Sequence, residues 1–179
     1  MSEHPRLEAG EILRALRDAD ARFVLIGGLA SQVYGSPSLT VDVDICFGLD
    51  RDNLQRLAAV LVDLAAIRRD MPSGVTAPID ELALRAGDVI TLRTRYGDLD
   101  LLAHPDPGFD YEALLEHSLQ VEILGVEVRV ASLDDLMAMK RAAGRPKDRI
   151  ELEILGALRE QIDRRGQARR SSRSIPLRP

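Results

Sequence analysis

The stretch Phe23-Val24-Leu25-Ile26-Gly27-Gly28, followed by Thr40-Val41-Asp42-Val43-Asp44-Ile45, constrains the fold more than any other part of the chain. An apolar run ends in two glycines, and a second apolar run carries two carboxylates spaced i, i+2. A strand sends residues two apart to the same face, so Asp42 and Asp44 stand side by side. Two like charges on a mostly hydrophobic strand cost free energy unless a cation neutralises them. No basic residue lies within that strand. A divalent metal is the natural partner, and Mg²⁺, which takes few carboxylates and keeps waters and substrate phosphates, fits best. The alternative is a solvated strand face on which both acids are simply exposed.

The chain of 179 residues has the length of one domain and can bury an adequate core. Aromatics make up only 3% and Trp is absent, so the core must be Leu, Val, Ile and Ala. That scarcity argues against a base-stacking platform for single-stranded nucleic acid. The single cysteine, Cys46, cannot form an intramolecular disulfide and reads as a small core residue. No apolar run reaches the length of a membrane span, and the polar first ten residues contain no signal-peptide core. A soluble cytoplasmic protein without a membrane partner is expected. The net charge of −5 hides an asymmetry: residues 164–179 hold six arginines and no acid, leaving −11 on the remainder. Such a basic terminal segment is expected to be an unstructured arm able to touch nucleic-acid phosphates, or simply a solvated tail.

Apolar spacing predicts an amphipathic helix over 6–20 and a buried strand over 22–26. After the Gly27-Gly28 break, a short helix is expected from Leu29 to Tyr34, stopped by Gly35. Thr40 to Phe47 reads as the second strand, and Asp50 or Asp52 caps a helix expected to reach about Ile67. Residues 68–80 read as a loop, and Leu82 to Arg85 is ambiguous. Val89–Arg95 and Asp98–Leu102 read as a hairpin around Tyr96-Gly97. A short helix is expected at Tyr111–His117 and a second hairpin at 121–130. Ser132, with Asp135 three residues on, opens a helix to Ala143. Pro146 then starts a last helix to about Arg164, in which Asp148 and Glu151 are expected to pair with Lys147 or Arg149. Strands linked partly by hairpins and mixed with helices indicate an α+β, or mixed α/β, class around one sheet. Residues 1–163 are expected to form the domain, with a core at about 6–131 and C-terminal helices at 132–163.

Three features carry chemistry. Glycines at a strand-to-helix junction let backbone approach a ligand, and free N–H groups there attract phosphate; the alternative for Gly27-Gly28 is a plain turn. Asp42 and Asp44 are the second feature. Tyr96-Gly97-Asp98-Leu99-Asp100-Leu101-Leu102 is the third, another acidic pair in an apolar strand. If the two acidic strands are neighbours, three carboxylates converge on one or two Mg²⁺ ions, a constellation suited to in-line displacement at phosphorus.

The order Gly27-Gly28, Asp42-Val43-Asp44 and a later acidic strand resembles the nucleotidyltransferase fold of the DNA polymerase beta superfamily, over about residues 10–160. Ile26-Gly27-Gly28-Leu29-Ala30, Gly35-Ser36-Pro37, Thr40 to Asp44, Tyr96 to Leu102 and Ser132-Leu133-Asp134-Asp135-Leu136-Met137-Ala138-Met139-Lys140 resemble small bacterial nucleotidyltransferase-like proteins. Some of these are toxin partners in type IV (AbiEii-like) toxin–antitoxin systems. The resemblance implies a mixed central sheet with flanking helices and a small C-terminal helical region. It implies Mg²⁺, two ions in all, on Asp42, Asp44 and Asp100, with Asp98 as the substitute third acid. It implies nucleotide contacts from Gly27, Gly28, Ser36 and Lys140, an NTP substrate, and transfer of its NMP to an acceptor hydroxyl on RNA such as tRNA, on protein or on a small molecule. A cognate antitoxin is a further implied partner. Relatives often carry a basic residue just before the Thr-x-Asp-x-Asp motif; here Ser36-Pro37-Ser38-Leu39 holds none, which leaves an inactive nucleotide- or partner-binding module as the alternative. Lys140, Arg141, Arg145 and Lys147 offer replacement cations, or serve only to offset a helix dipole.

Overall fold

The computed structural model describes residues 6–72, 77 and 79–173. Among these residues seven strands form one mixed sheet: β1 (Phe23–Ile26), β2 (Asp42–Phe47), β3 (Ile67–Arg68), β4 (Val89–Thr94), β5 (Gly97–Leu102), β6 (Leu119–Ile123) and β7 (Val126–Val130). Their spatial order is β3-β4-β5-β2-β1-β7-β6. β2 lies parallel to β5 and β1 parallel to β7, while the remaining neighbours are antiparallel. The two acidic strands are therefore adjacent.

Alternation gives this sheet two unlike faces. Val43, Ile45, Ile90, Leu92, Leu99 and Leu101 are fully buried, and the residues between them, including Asp42, Asp44, Asp98 and Asp100, are partly open. Each fully buried Leu or Ile contributes about 1.5–3 kcal/mol of transfer free energy. That apolar face fixes the register, because a slip of one residue would bury the acids and expose the core. α1 (Ala9–Asp18) packs on β2, β7 and α3 (Arg51–Asp63), bringing Ile12, Leu13 and Leu16 into the core beside Leu54, Leu57 and Leu61.

Local signals set most helix starts. Asp50 caps α3, accepting from the Asn53 N–H at 3.1 Å, and Ser132 caps α6 (Leu133–Ala143), accepting from the Asp135 N–H at 3.1 Å. α5 is Tyr111–His117, as the spacing predicts. The segment around Leu82 resolves as α4 (Glu81–Ala86), capped by Asp80.

Four expectations are corrected. α2 (Gly27–Val33) includes both glycines rather than starting after them, and the Ser31 hydroxyl donates to the Gly27 carbonyl at 3.0 Å. α3 stops at Asp63, because Ala65 turns the chain at φ 52° and Ile67–Arg68 then pairs with β4. Asp148 and Glu151 do not pair with Lys147 or Arg149: Asp148 binds Arg145, and Glu151 accepts from the Ser36 and Ser38 hydroxyls. α7 is Pro146–Arg173 and continues past residue 163, where charge and composition predict an unstructured arm. Helix-favouring Arg, Gln and Ala, with a Glu160–Arg164 pair one turn apart at 2.9 Å, carry it on. Residues 174–179 of that arm lie outside the described residues.

Candidate active site

The parallel register of β2 and β5 sets Asp42 opposite Asp98 and Asp44 opposite Asp100. Carboxylate oxygens of Asp42, Asp44 and Asp100 lie within 4.8 Å of one another. Asp98 shares their face but turns to cations: Arg69 Nη1 at 2.8 Å and Arg93 Nε at 3.5 Å. Of the two acids on β5, Asp100 thus joins the cluster and Asp98 does not.

Crowding perturbs the cluster. Burial, then the neighbouring Asp42 and Asp100 charges, pushes the Asp44 carboxyl from 3.8 up to about 7, against the pull of the Gly28 N–H and Lys140. Burial also raises Asp100, and the Arg69 guanidinium bonded to its Oδ1 offsets only part of that rise. Asp42 accepts from the Thr40 hydroxyl at 2.9 Å. An all-oxygen donor set with one member short of full ionisation suits a hard divalent cation such as Mg²⁺, whose charge would favour the ionised carboxylates.

The glycines are needed by the acids themselves. A Cβ on Gly27 would lie 1.9 Å from Asp44 Oδ2, and Gly27 has φ +69°. A Cβ on Gly28 would lie 2.6 Å from Thr40 Oγ1. Side chains at either position would displace Asp44 or the Thr40–Asp42 pair, whatever else the junction binds.

A cavity of about 520 Å³ opens over this face. Gly27, Gly28, Asp42, Asp44 and Asp100 line one side, and Lys140, Arg145 and Lys147, from the corner between α6 and α7, line another. Buried Asp148 holds that corner: Arg145 Nε lies 2.6 Å and Lys140 Nζ 4.0 Å from it. Burial works to raise the Asp148 carboxyl, but Arg145 outweighs it and holds the group below its usual range. Ser36 stands apart from the cavity lining: it is buried and its hydroxyl donates to Glu151 at 2.8 Å. Its role is to tie the β1–β2 connection to α7.

The sequence pointed to Asp42, Asp44, Asp100, Gly27, Gly28 and Lys140, and the fold brings all six to one cavity. It gave no sign of Arg69 or Arg93. Arg69 lies 29 residues from Asp98 along the chain and meets it only across the sheet, so no local spacing could reveal the pair.

No protein-family model matches the sequence, and no curated protein does. Solved structures do match the fold. The lincosamide antibiotic adenylyltransferase LnuA, lincomycin-bound, aligns with a TM-score of 0.57 at 14% identity, covering 86% of this chain and 99% of that one. ANT(2'')-Ia in complex with adenylyl-2''-tobramycin aligns at 0.51 and 16% identity, covering 86% and 94%. A nucleotidyltransferase-like protein from Paracoccidioides brasiliensis aligns at 0.50 and 18%, covering 83% and 72%. The chain has the nucleotidyltransferase fold.

Proposed function

We propose that this chain is a Mg²⁺-dependent nucleotidyltransferase that moves an NMP from an NTP to a hydroxyl of a small-molecule acceptor. The convergence of Asp42, Asp44 and Asp100 beside the Gly27-Gly28 junction, in one cavity with three cations, carries this reading. Asp42, Asp44 and Asp100 would hold the metal, in the form of two ions. Mg²⁺, when bound, supplies Lewis-acid stabilisation of charge on the reacting phosphoryl oxygens. Lys140, Arg145 and Lys147 face the same space and neutralise the triphosphate. The acceptor oxygen forms a bond to the α-phosphorus, the bond to the bridging oxygen of pyrophosphate breaks, and Asp100 takes the hydroxyl proton.

The rival reading, an inactive nucleotide- or partner-binding module, draws on the missing cation before Thr40. The cations at the α6–α7 corner supply that charge from elsewhere and favour the enzyme. A small-molecule acceptor is supported by the apolar rim of Leu39, Val41 and Ile150, all strongly exposed at the cavity. The similar structures seen with lincomycin and with adenylyl-2''-tobramycin point the same way. A toxin role with a cognate antitoxin rests on the sequence resemblance, and a cytoplasmic site of action on the composition. Among the described residues no helix is long and apolar enough to cross a membrane.

The test is transfer of label from each α-³²P-NTP, with Mg²⁺, into the RNA, protein and small-molecule fractions of a bacterial lysate. Label in the small-molecule fraction that vanishes with Asp44→Asn is the expected result. Label in RNA or protein would move the acceptor, and Mg²⁺–NTP binding without transfer would favour the module.

A further inference from the structure

Arg69 follows β3, and its backbone N–H donates to the Thr91 carbonyl at 2.9 Å, continuing the pairing with β4. Thr91 is in turn the register partner of Asp100, and Arg93 the partner of Asp98. Arg69 therefore starts one strand beyond β4 and reaches across it, over the same face that carries the acids. Its Nη1 donates to Asp98 Oδ2 at 2.8 Å, and its Nη2 to Asp100 Oδ1. The Nε atom is buried with no hydrogen-bond partner among the described residues. Among the described residues, Asp98 and Asp100 are the hydrogen-bond partners that orient the guanidinium.

The fork engages Asp100 through one oxygen only, and with the fork in place the oxygens of Asp42, Asp44 and Asp100 already lie within 4.8 Å. Arg69 is thus compatible with a formed triad. Asp98 anchors Arg69 at 2.8 Å and is itself held by Arg93 Nε at 3.5 Å. We propose that Arg69 is a positioning residue for the metal site: anchored on Asp98, it holds one oxygen of Asp100 and presents the other to a divalent cation shared with Asp42 and Asp44. This gives the second Asp-x-Asp pair a division of labour, Asp98 bracing and Asp100 ligating. It rests on the reading of the triad as a metal site.

The test is Mn²⁺ binding to the full chain without nucleotide, followed by the loss of the free-ion paramagnetic resonance signal, beside thermal unfolding. Arg69→Gln should weaken Mn²⁺ binding roughly 10–100-fold, the usual effect of removing a group that orients a metal ligand. Arg69→Lys, which keeps charge but not the planar fork, should recover only part of it. Asp98→Asn should cost roughly 3–10-fold through the lost brace, below the full effect of removing the orienting group. Unchanged or tighter binding in Arg69→Gln would overturn the proposal, and tighter binding would make Arg69 a competitor for Asp100. If Arg69→Gln does not fold, Arg69→Lys and Asp98→Asn carry the comparison, and wild-type affinity in both overturns it. Wild-type protein that binds no Mn²⁺, or binds it as well after Asp44→Asn, would instead sink the metal-site reading itself.

Discussion

Asp42-Val43-Asp44 on β2 and Asp98-Leu99-Asp100 on β5 have the same spacing, the same face and a matched parallel register, yet opposite surroundings. The β5 pair is clamped by arginines: Arg69 touches both acids and Arg93 touches Asp98. Among the described residues the β2 pair has no arginine or lysine in ion-pair contact, and the Thr40 hydroxyl donates to Asp42. Its crowding shows instead in the Asp44 carboxyl, which burial and the neighbouring Asp42 and Asp100 charges push up to about 7. The same motif can therefore be satisfied by fixed cations or left as a demand for a mobile one. The bare pair is where an incoming metal gains most, because its desolvation cost is still uncompensated.

The comparison is broken most directly by charge removal. Asp44→Asn should lower nucleotidyl transfer by roughly 10³-fold or more, a loss of about 4 kcal/mol of transition-state stabilisation. Asp98→Asn on the clamped pair should stay within roughly tenfold of wild type, because Asp98 touches Arg69 and Arg93 instead of the reacting groups. Steady-state transfer rates decide it, and equal losses in the two variants would erase the distinction.

Titration sharpens the contrast next. The Asp44 carboxyl goes from 3.8 to about 7 on folding, so the folded chain holds that proton more tightly than the unfolded one. The linked stabilisation is complete below about pH 4 and is lost as pH rises through about 7. Urea unfolding of the metal-free protein should show a loss on the order of 2–4 kcal/mol between pH 4 and 8, and Asp44→Asn should flatten it. Mg²⁺ should restore stability at the alkaline end. A slope that survives Asp44→Asn would assign the effect to other groups.

Backbone crowding comes third. Gly27→Ala places a methyl group 1.9 Å from Asp44 Oδ2 at φ +69°, and the three atoms nearest to it all belong to Asp44 on β2. It should cost about 2–3 kcal/mol in thermal or urea unfolding. The smallest effect is expected from Thr40→Val, which removes the hydrogen bond to Asp42 at 2.9 Å. About 1 kcal/mol, or roughly fivefold in Mn²⁺ affinity, is expected by isothermal titration, well short of the change for Arg69→Gln.

Much of this arrangement could be read from the chain. The alternation that buries Val43 and Ile45 also turns Asp42 and Asp44 to one side, and both depend only on strand period. The Ser132 and Asp50 caps, the Tyr111–His117 helix and the β4–β5 hairpin follow from local chemistry within a few residues. The position of Gly27-Gly28 was legible too, although its tight contact with Asp44 was not. The place of Ser36 was not legible, because a serine in a loop before an acidic strand gives no hint that its hydroxyl will bond Glu151, 115 residues away.

Sequence by itself thus determined most of the elements, the faces of the acidic strands and the identity of the triad's residue types, because these depend on short-range periodicity and side-chain chemistry. Only the tertiary structure decided that β2 and β5 are parallel neighbours, that Asp100 and not Asp98 joins Asp42 and Asp44, and that Arg69 bridges the β5 pair. Those outcomes depend on strand order and on distances across the sheet. Two aspartates of identical spacing are equivalent until an arginine from another strand makes them different.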